Sequence, residues 1–166
     1  MKSRIQLLLL IMILGAPMPV AWAMLHWQVG IPEGHVARGE LQHNLPPLSA
    51  WPLQDHPEGR WLLIWSAPAV CDVTCQAEAD RWWRMHRAMG RQAARVERVR
   101  LSEQEQTLLP GETLALWQSA RLPGVEDYQV WLADPQGNIV TRYPAGVDLR
   151  AVHKDLEHLL KRNPES

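Results

Sequence analysis

The run Trp61-Leu-Leu-Ile-Trp65 constrains the fold more than any other stretch of the chain. Five apolar residues without alternation suit a short strand covered on both faces, and so a central strand of a layered α/β domain. Ser66-Ala-Pro68 ends it, because proline is a poor residue for continuing a ladder. The chain's two cysteines follow at once in Cys71-Asp-Val-Thr-Cys75. From there Cys75, Ala79, Trp82, His86 and Met89 recur at helical spacing, with Gly90 as the expected stop. The pair therefore falls between the carboxyl end of a buried strand and the amino end of a helix, where open α/β sheets carry their chemistry.

Exposed N–H groups at a helix start favour a thiolate over a thiol. Asp72 is placed to cap that helix, and its carboxylate opposes thiolate formation next door. Cys75 lies about one turn beyond Cys71, within bridging reach if Cys71 is in the loop. Such a bridge closes a very short loop and restrains little of the unfolded chain. That favours a redox or metal-binding role for Cys71 and Cys75 over a structural disulfide or two buried thiols.

The amino terminus opens Met1-Lys-Ser-Arg4 and then runs apolar from Ile5 to Leu25, with Gln6 the single polar exception. Cations followed by an apolar run describe an export signal. Ala21-Trp-Ala23 has the form of a cleavage site, but a run of about 20 residues is long enough to span a bilayer. The expectation is a retained single-pass anchor over residues 1–25, in the inner membrane, with the following domain in the periplasm. Export puts the cysteines where a disulfide can persist. With 17 Lys and Arg against 18 Asp and Glu, nothing suggests a nucleic-acid partner. Nine Trp and no Phe point to core filling and to contact with a membrane interface.

Residues 26–52 are rich in Pro and Gly without a period, and read as a tether and irregular lead-in to a domain over 53–163. Arg95 to Leu101 is expected as a second strand, parallel to the first across the helix. Ser102 and Glu105 have capping-box spacing, and Glu112 to Ser119 reads as a further helical piece carrying Leu114 and Trp117. Tyr128 to Ala133 and Asn138 to Tyr143 form a hairpin across Asp134-Pro-Gln-Gly137, which is type I turn chemistry. Asp148 caps a last helix whose Leu149, Val152, Leu156, Leu159 and Leu160 share one face.

This order resembles a thioredoxin-like α/β domain, a small mixed sheet flanked by helices. The Cys-x-x-x-Cys after the first core strand, the D-P-Q-G hairpin and the terminal helix are similar to the Sco/SenC family. Those exported proteins supply copper or reducing equivalents to cytochrome c oxidase. A group of small membrane-anchored proteobacterial proteins that accompany oxidase assembly resembles the chain further, in Gly39-Glu40-Leu41, A-P-x-x-C-D-x-x-C and D-P-x-G-N. The resemblance implies a Cys71/Cys75 dithiol–disulfide acting on an oxidase subunit or its assembly factors; Cys71, the more exposed in the loop, is expected to attack and Cys75 to resolve. It also implies copper held by Cys71 and Cys75, either with redox turnover or as a Cu(I)-binding module; a non-catalytic assembly factor is the third reading. Sco proteins add a distant histidine ligand, whereas Gly124-Val-Glu-Asp-Tyr128 has none, offering Glu126 and Asp127 instead. Met85 and His153 are the other candidate donors, and packing is the simpler role for each. Thioredoxins place a proline just before the third strand; Pro123 comes several residues too early.

Overall fold

A computed structural model describes residues 4–6, 15, 18, 22, 26, 39–41 and 45–164. The chain divides into two units, residues 1–35 and 36–166. In the first, the described residues are helical and exposed, and Trp22 stacks on His26 with ring centroids 5.2 Å apart. Among the described residues no helix is long and apolar enough to cross a membrane. The anchor expected over 1–25 falls largely outside them.

The second unit is built on a six-stranded mixed sheet. Its strands are β1 (Glu40–Leu41), β2 (Trp61–Ser66), β3 (Val96–Ser102), β4 (Glu112–Leu116), β5 (Val130–Ala133) and β6 (Ile139–Tyr143). The spatial order is β1-β6-β5-β2-β3-β4. β2, β3 and β4 run parallel, while β5, β6 and β1 complete the sheet in antiparallel fashion. All six residues of β2 are buried, as a central strand requires.

Alternation along β2 feeds two cores. Trp61, Leu63 and Trp65 face α1 (Val73–Ala88) and α2 (Leu149–Arg162), whose Ala79, Trp82, Met85, Val152, Leu156 and Leu160 pack in the same cluster. Leu62 and Ile64 face the opposite way, into a cluster with Leu48, Trp51, Leu53, Trp117 and Trp131. The mixed sheet is flanked by helices as expected, with both long helices on one face. The second face is closed instead by the lead-in, through a 3₁₀ turn at Leu48–Ala50 and by Trp51. Trp51 stacks on Trp117 at 6.0 Å, meets Trp131 edge-on at 5.6 Å, and donates its indole N–H to the Pro46 carbonyl at 3.0 Å. Aromatic pairs of this geometry add to burial energy, so indoles do here what a covering helix does elsewhere.

The lead-in also guards both sheet edges. Gln54 N–H donates to Leu116 O at 2.9 Å and Gln118 N–H to Pro52 O at 2.8 Å, alongside β4. β1 pairs with β6, and Gly39 before it admits no side chain. A Cβ there would overlap Thr141 and the Tyr143 ring and come 2.8 Å from Arg142 O. The packed domain therefore starts well before residue 53.

The remaining corrections concern local readings. Glu112–Leu116 is a strand, not a helix: it pairs in register with β3, and that ladder overrides the helical spacing of Leu114 and Trp117. No helix begins at Ser102, which ends β3 and accepts the Gln104 N–H on its hydroxyl at 3.2 Å. The hairpin turn matches its reading. Gly137 N–H donates to Asp134 O at 2.9 Å, with Gly137 at φ 81°, where glycine is favoured.

A buried hydrogen bond of 2.8 Å from the Tyr143 hydroxyl to the Asp155 carboxylate pins α2 to β6. Burial first, and the Asp155 bond second, push the phenol well above its ordinary pKa, so it stays protonated. Tyr143→Phe leaves that carboxylate short of a donor, and should lower unfolding free energy by about 1–3 kcal/mol in a denaturant titration. Gly39→Ala should cost a similar ~1–3 kcal/mol through overpacking against β6, read as a lowered melting temperature.

Candidate functional site

Cys71 and Cys75 form a disulfide with Cα atoms 5.1 Å apart, at the expected junction between β2 and α1. Asp72 caps α1, its carboxylate accepting the Cys75 N–H at 2.9 Å. The two sulfurs differ in surroundings. Cys75, in the first turn of α1, is fully buried against the core, whereas Cys71 is half-buried between two exposed valines, Val70 and Val73. Cys71 also lines a cavity of about 560 Å³ walled by Gln76, Ala79, Arg100 and residues 104–109.

Side chains from outside the motif hold the loop carrying the pair. The Gln106 amide donates to Pro68 O at 2.7 Å and to Ser102 Oγ at 2.9 Å. Arg121 donates to Ala67 O at 3.2 Å while pairing with Asp127 at 2.5 Å and Glu103 at 2.8 Å. Tyr128 N–H donates to Ser66 O at 2.7 Å. Tyr128, at φ 65°, takes a left-handed backbone uncommon for a bulky residue. It stands just ahead of β5, where the thioredoxin proline was sought and where Pro123 does not reach. Burial raises the Tyr128 phenol pKa, and the carboxylates of Asp72, Asp127 and Glu78 raise it further.

Beneath the cavity lies a buried ion pair. Arg100 Nη2 meets Glu112 Oε2 at 2.6 Å, with side-chain exposures of 2% and 0%. Glu112 Oε1 accepts the Trp65 indole N–H at 2.9 Å, and the guanidinium lies over the Trp65 ring at 4.9 Å. Arg100 Nη1 points to Gln106 Oε1 at 3.2 Å, Thr107 O at 3.3 Å and Cys71 Sγ at 3.9 Å. Sequence reading missed this group. Its signal was Arg98 and Arg100, two cations at alternate positions and so on one face of β3.

The other candidate donors stay apart from the pair. Met85 is a core residue ten positions along α1 from Cys75, about 15 Å by helical rise. His86 Nε2 lies 2.9 Å from Ala93 O and 2.8 Å from Val96 O, inside the turn after the helix. His153 sits 3.8 Å from Glu157 on α2, and Asp127 is committed to Arg121. Among the described residues no three His, Cys, Asp or Glu side chains converge on a metal position. With both sulfurs bonded to each other, the donor set does not fit copper in this state.

The fold is that of a thioredoxin-like domain, with a disulfide at the junction of β2 and α1. A family model described as the transmembrane-like, thioredoxin-like C-terminal domain matches residues 61–163, and the chain belongs to that family. Among solved structures, yeast Sco1 is similar over 63% of this chain and 86% of its own, at TM-score 0.50 and 11% identity. Copper-bound ScoI of Bradyrhizobium japonicum covers 61% of this chain and 85% of its own, at TM-score 0.46 and 16% identity. The yeast mitochondrial 1-Cys peroxiredoxin covers 65% and 67%, at TM-score 0.48 and 12% identity. At 11% identity the likeness to yeast Sco1 speaks for the fold alone. No curated protein matches the chain by sequence.

The unequal burial of the sulfurs has a direct readout. After reduction, a brief pulse of iodoacetamide on the folded protein should modify Cys71 and leave Cys75 unlabelled, as located by peptide mass spectrometry.

Proposed function

We propose that the chain is a dedicated thiol–disulfide exchange protein. It is held at the inner membrane by its amino-terminal segment, works in the periplasm, and serves assembly of the cytochrome c oxidase copper site. The observation that carries the exchange reading is the asymmetric disulfide: one sulfur at the mouth of a cavity, its partner sealed in the core. The family match and the Sco-like fold support it. The apolar run after Lys2 and Arg4 supports the membrane placement.

In the reducing direction the Cys71 thiolate attacks a sulfur of a partner disulfide. The partner's S–S bond breaks, its leaving sulfur takes up a proton, and a mixed disulfide forms. The Cys75 thiolate then attacks Cys71 Sγ and releases the second partner thiol. Two electrons pass to the partner and the Cys71–Cys75 bond reforms. An upstream dithiol must reduce it before the next cycle. The exposed Val70 and Val73 frame the attacking sulfur with apolar surface suited to a partner polypeptide. Copper in this reading is cargo of the partner, to be loaded onto cysteines that the exchange has freed.

Cys75→Ser removes the resolving sulfur, and should accumulate a covalent, reductant-sensitive complex with an oxidase subunit or assembly factor in membranes, seen on non-reducing gels. Cys71→Ser should give none. Absence of any adduct with Cys75→Ser, alongside stoichiometric Cu(I) binding by the reduced wild-type protein, would move the assignment from exchange to copper carriage.

A further inference from the structure

Arg100 reaches beyond its ion pair. Bringing a guanidinium into a core is costly unless a carboxylate in good geometry and acceptors for its remaining N–H groups are at hand. Nη1 takes Gln106 Oε1 and Thr107 O as acceptors, and these hold it 3.9 Å from Cys71 Sγ. A disulfide sulfur is a poor acceptor and gains little from this. A thiolate carries a full charge and gains more, because the guanidinium that faces it is buried and held in place on the core side. On the other side, the Asp72 carboxylate lies 2.9 Å from the Cys75 amide nitrogen. The pair therefore has a cation beside Cys71 and a carboxylate at the Cys75 backbone amide.

We propose that Arg100 is a positioning residue for thiol exchange, stabilising negative charge on Cys71 so that this sulfur attacks and leaves, with Glu112 limiting how much of that charge Cys71 feels. The inference rests on the exchange reading and deepens it. The charges around Cys71 include Arg100, Glu112 behind it with the buried Arg98, Glu105 in the wall of the same cavity, and Asp72 on its own loop; the Tyr128 phenol stays neutral.

The two partners of the ion pair predict effects of opposite sign. In the reduced full-length protein at pH 7, Arg100→Gln should slow iodoacetamide labelling of Cys71 by about tenfold or more, as loss of a neighbouring opposite charge does. It should also make the disulfide harder to reduce in equilibrium with glutathione. Glu112→Gln should speed Cys71 labelling and make the disulfide easier to reduce. Arg100→Lys, which keeps the charge, should recover much of the wild-type rate. A pair that served packing alone would move both neutral variants the same way, and that result overturns the proposal, as does an unchanged rate in Arg100→Gln. Should Arg100→Gln fail to fold, Glu112→Gln decides, a rate at or below wild type overturning the role. Labelling needs no partner: responsive rates without any trapped complex would defeat the exchange assignment alone, and a trapped complex with unresponsive rates would defeat the Arg100 role alone.

Discussion

Burial of β2 on both faces is the constraint from which the rest of the domain follows. A strand with no solvent face needs a layer on each side, and alternation sends Trp65 toward one layer and Ile64 toward the other. The chain has two long helices among its described residues and spends both on the Trp65 side. Closing the Ile64 side falls to a segment without a long helix, and large flat side chains make that possible. Trp51, Trp117 and Trp131 cover with three rings what a helix would cover with a stripe. The tryptophan-rich composition is in this part a consequence of topology.

Where β2 ends, burial gives way to chemistry. The strand delivers Ser66 to Pro68 into a loop whose carbonyls are held by Gln106 and Arg121, so the cysteines rest on a braced support. Loops from three places in the sequence meet there, each contributing polar groups that another satisfies. The charge that reaches Cys71 comes from the neighbouring strand β3, not from the helix start alone. That arrangement answers a tension visible from the first. Asp72 opposes ionisation of a nearby thiol, and a buried guanidinium opposes Asp72 from the other side.

Local signals carried the sequence reading well and distant ones carried it poorly. The apolar β2, the Asp72 and Asp148 caps, the Asp134 turn and the face of α2 are each written within a few residues, and the structure keeps them all. β4 was misread because Leu114 and Trp117 are three apart, a helical interval. What makes it a strand is its ladder with β3 and the pairing of Glu112 to Arg100, twelve residues back. The lead-in hid for a similar reason. Pro46, Pro47 and Pro52 mark it as irregular, which it is, but irregular backbone can still carry core side chains such as Leu48 and Trp51. The cysteine pair was legible from spacing alone; its electrostatic setting was not, since no local pattern announces which buried charge faces which sulfur.

The smallness of the ring that the disulfide closes has a thermodynamic consequence. A cross-link between residues four apart removes little entropy from the unfolded chain. The cross-link by itself therefore adds little to the stability of the oxidised form. Any stability difference between the oxidised and reduced forms comes from the folded groups around the sulfurs, and by linkage it equals the shift those groups impose on the couple. Substitutions in the tryptophan layer lower both forms together and leave the couple in place, whereas substitutions touching the sulfurs retune it by favouring one form of the scaffold over the other.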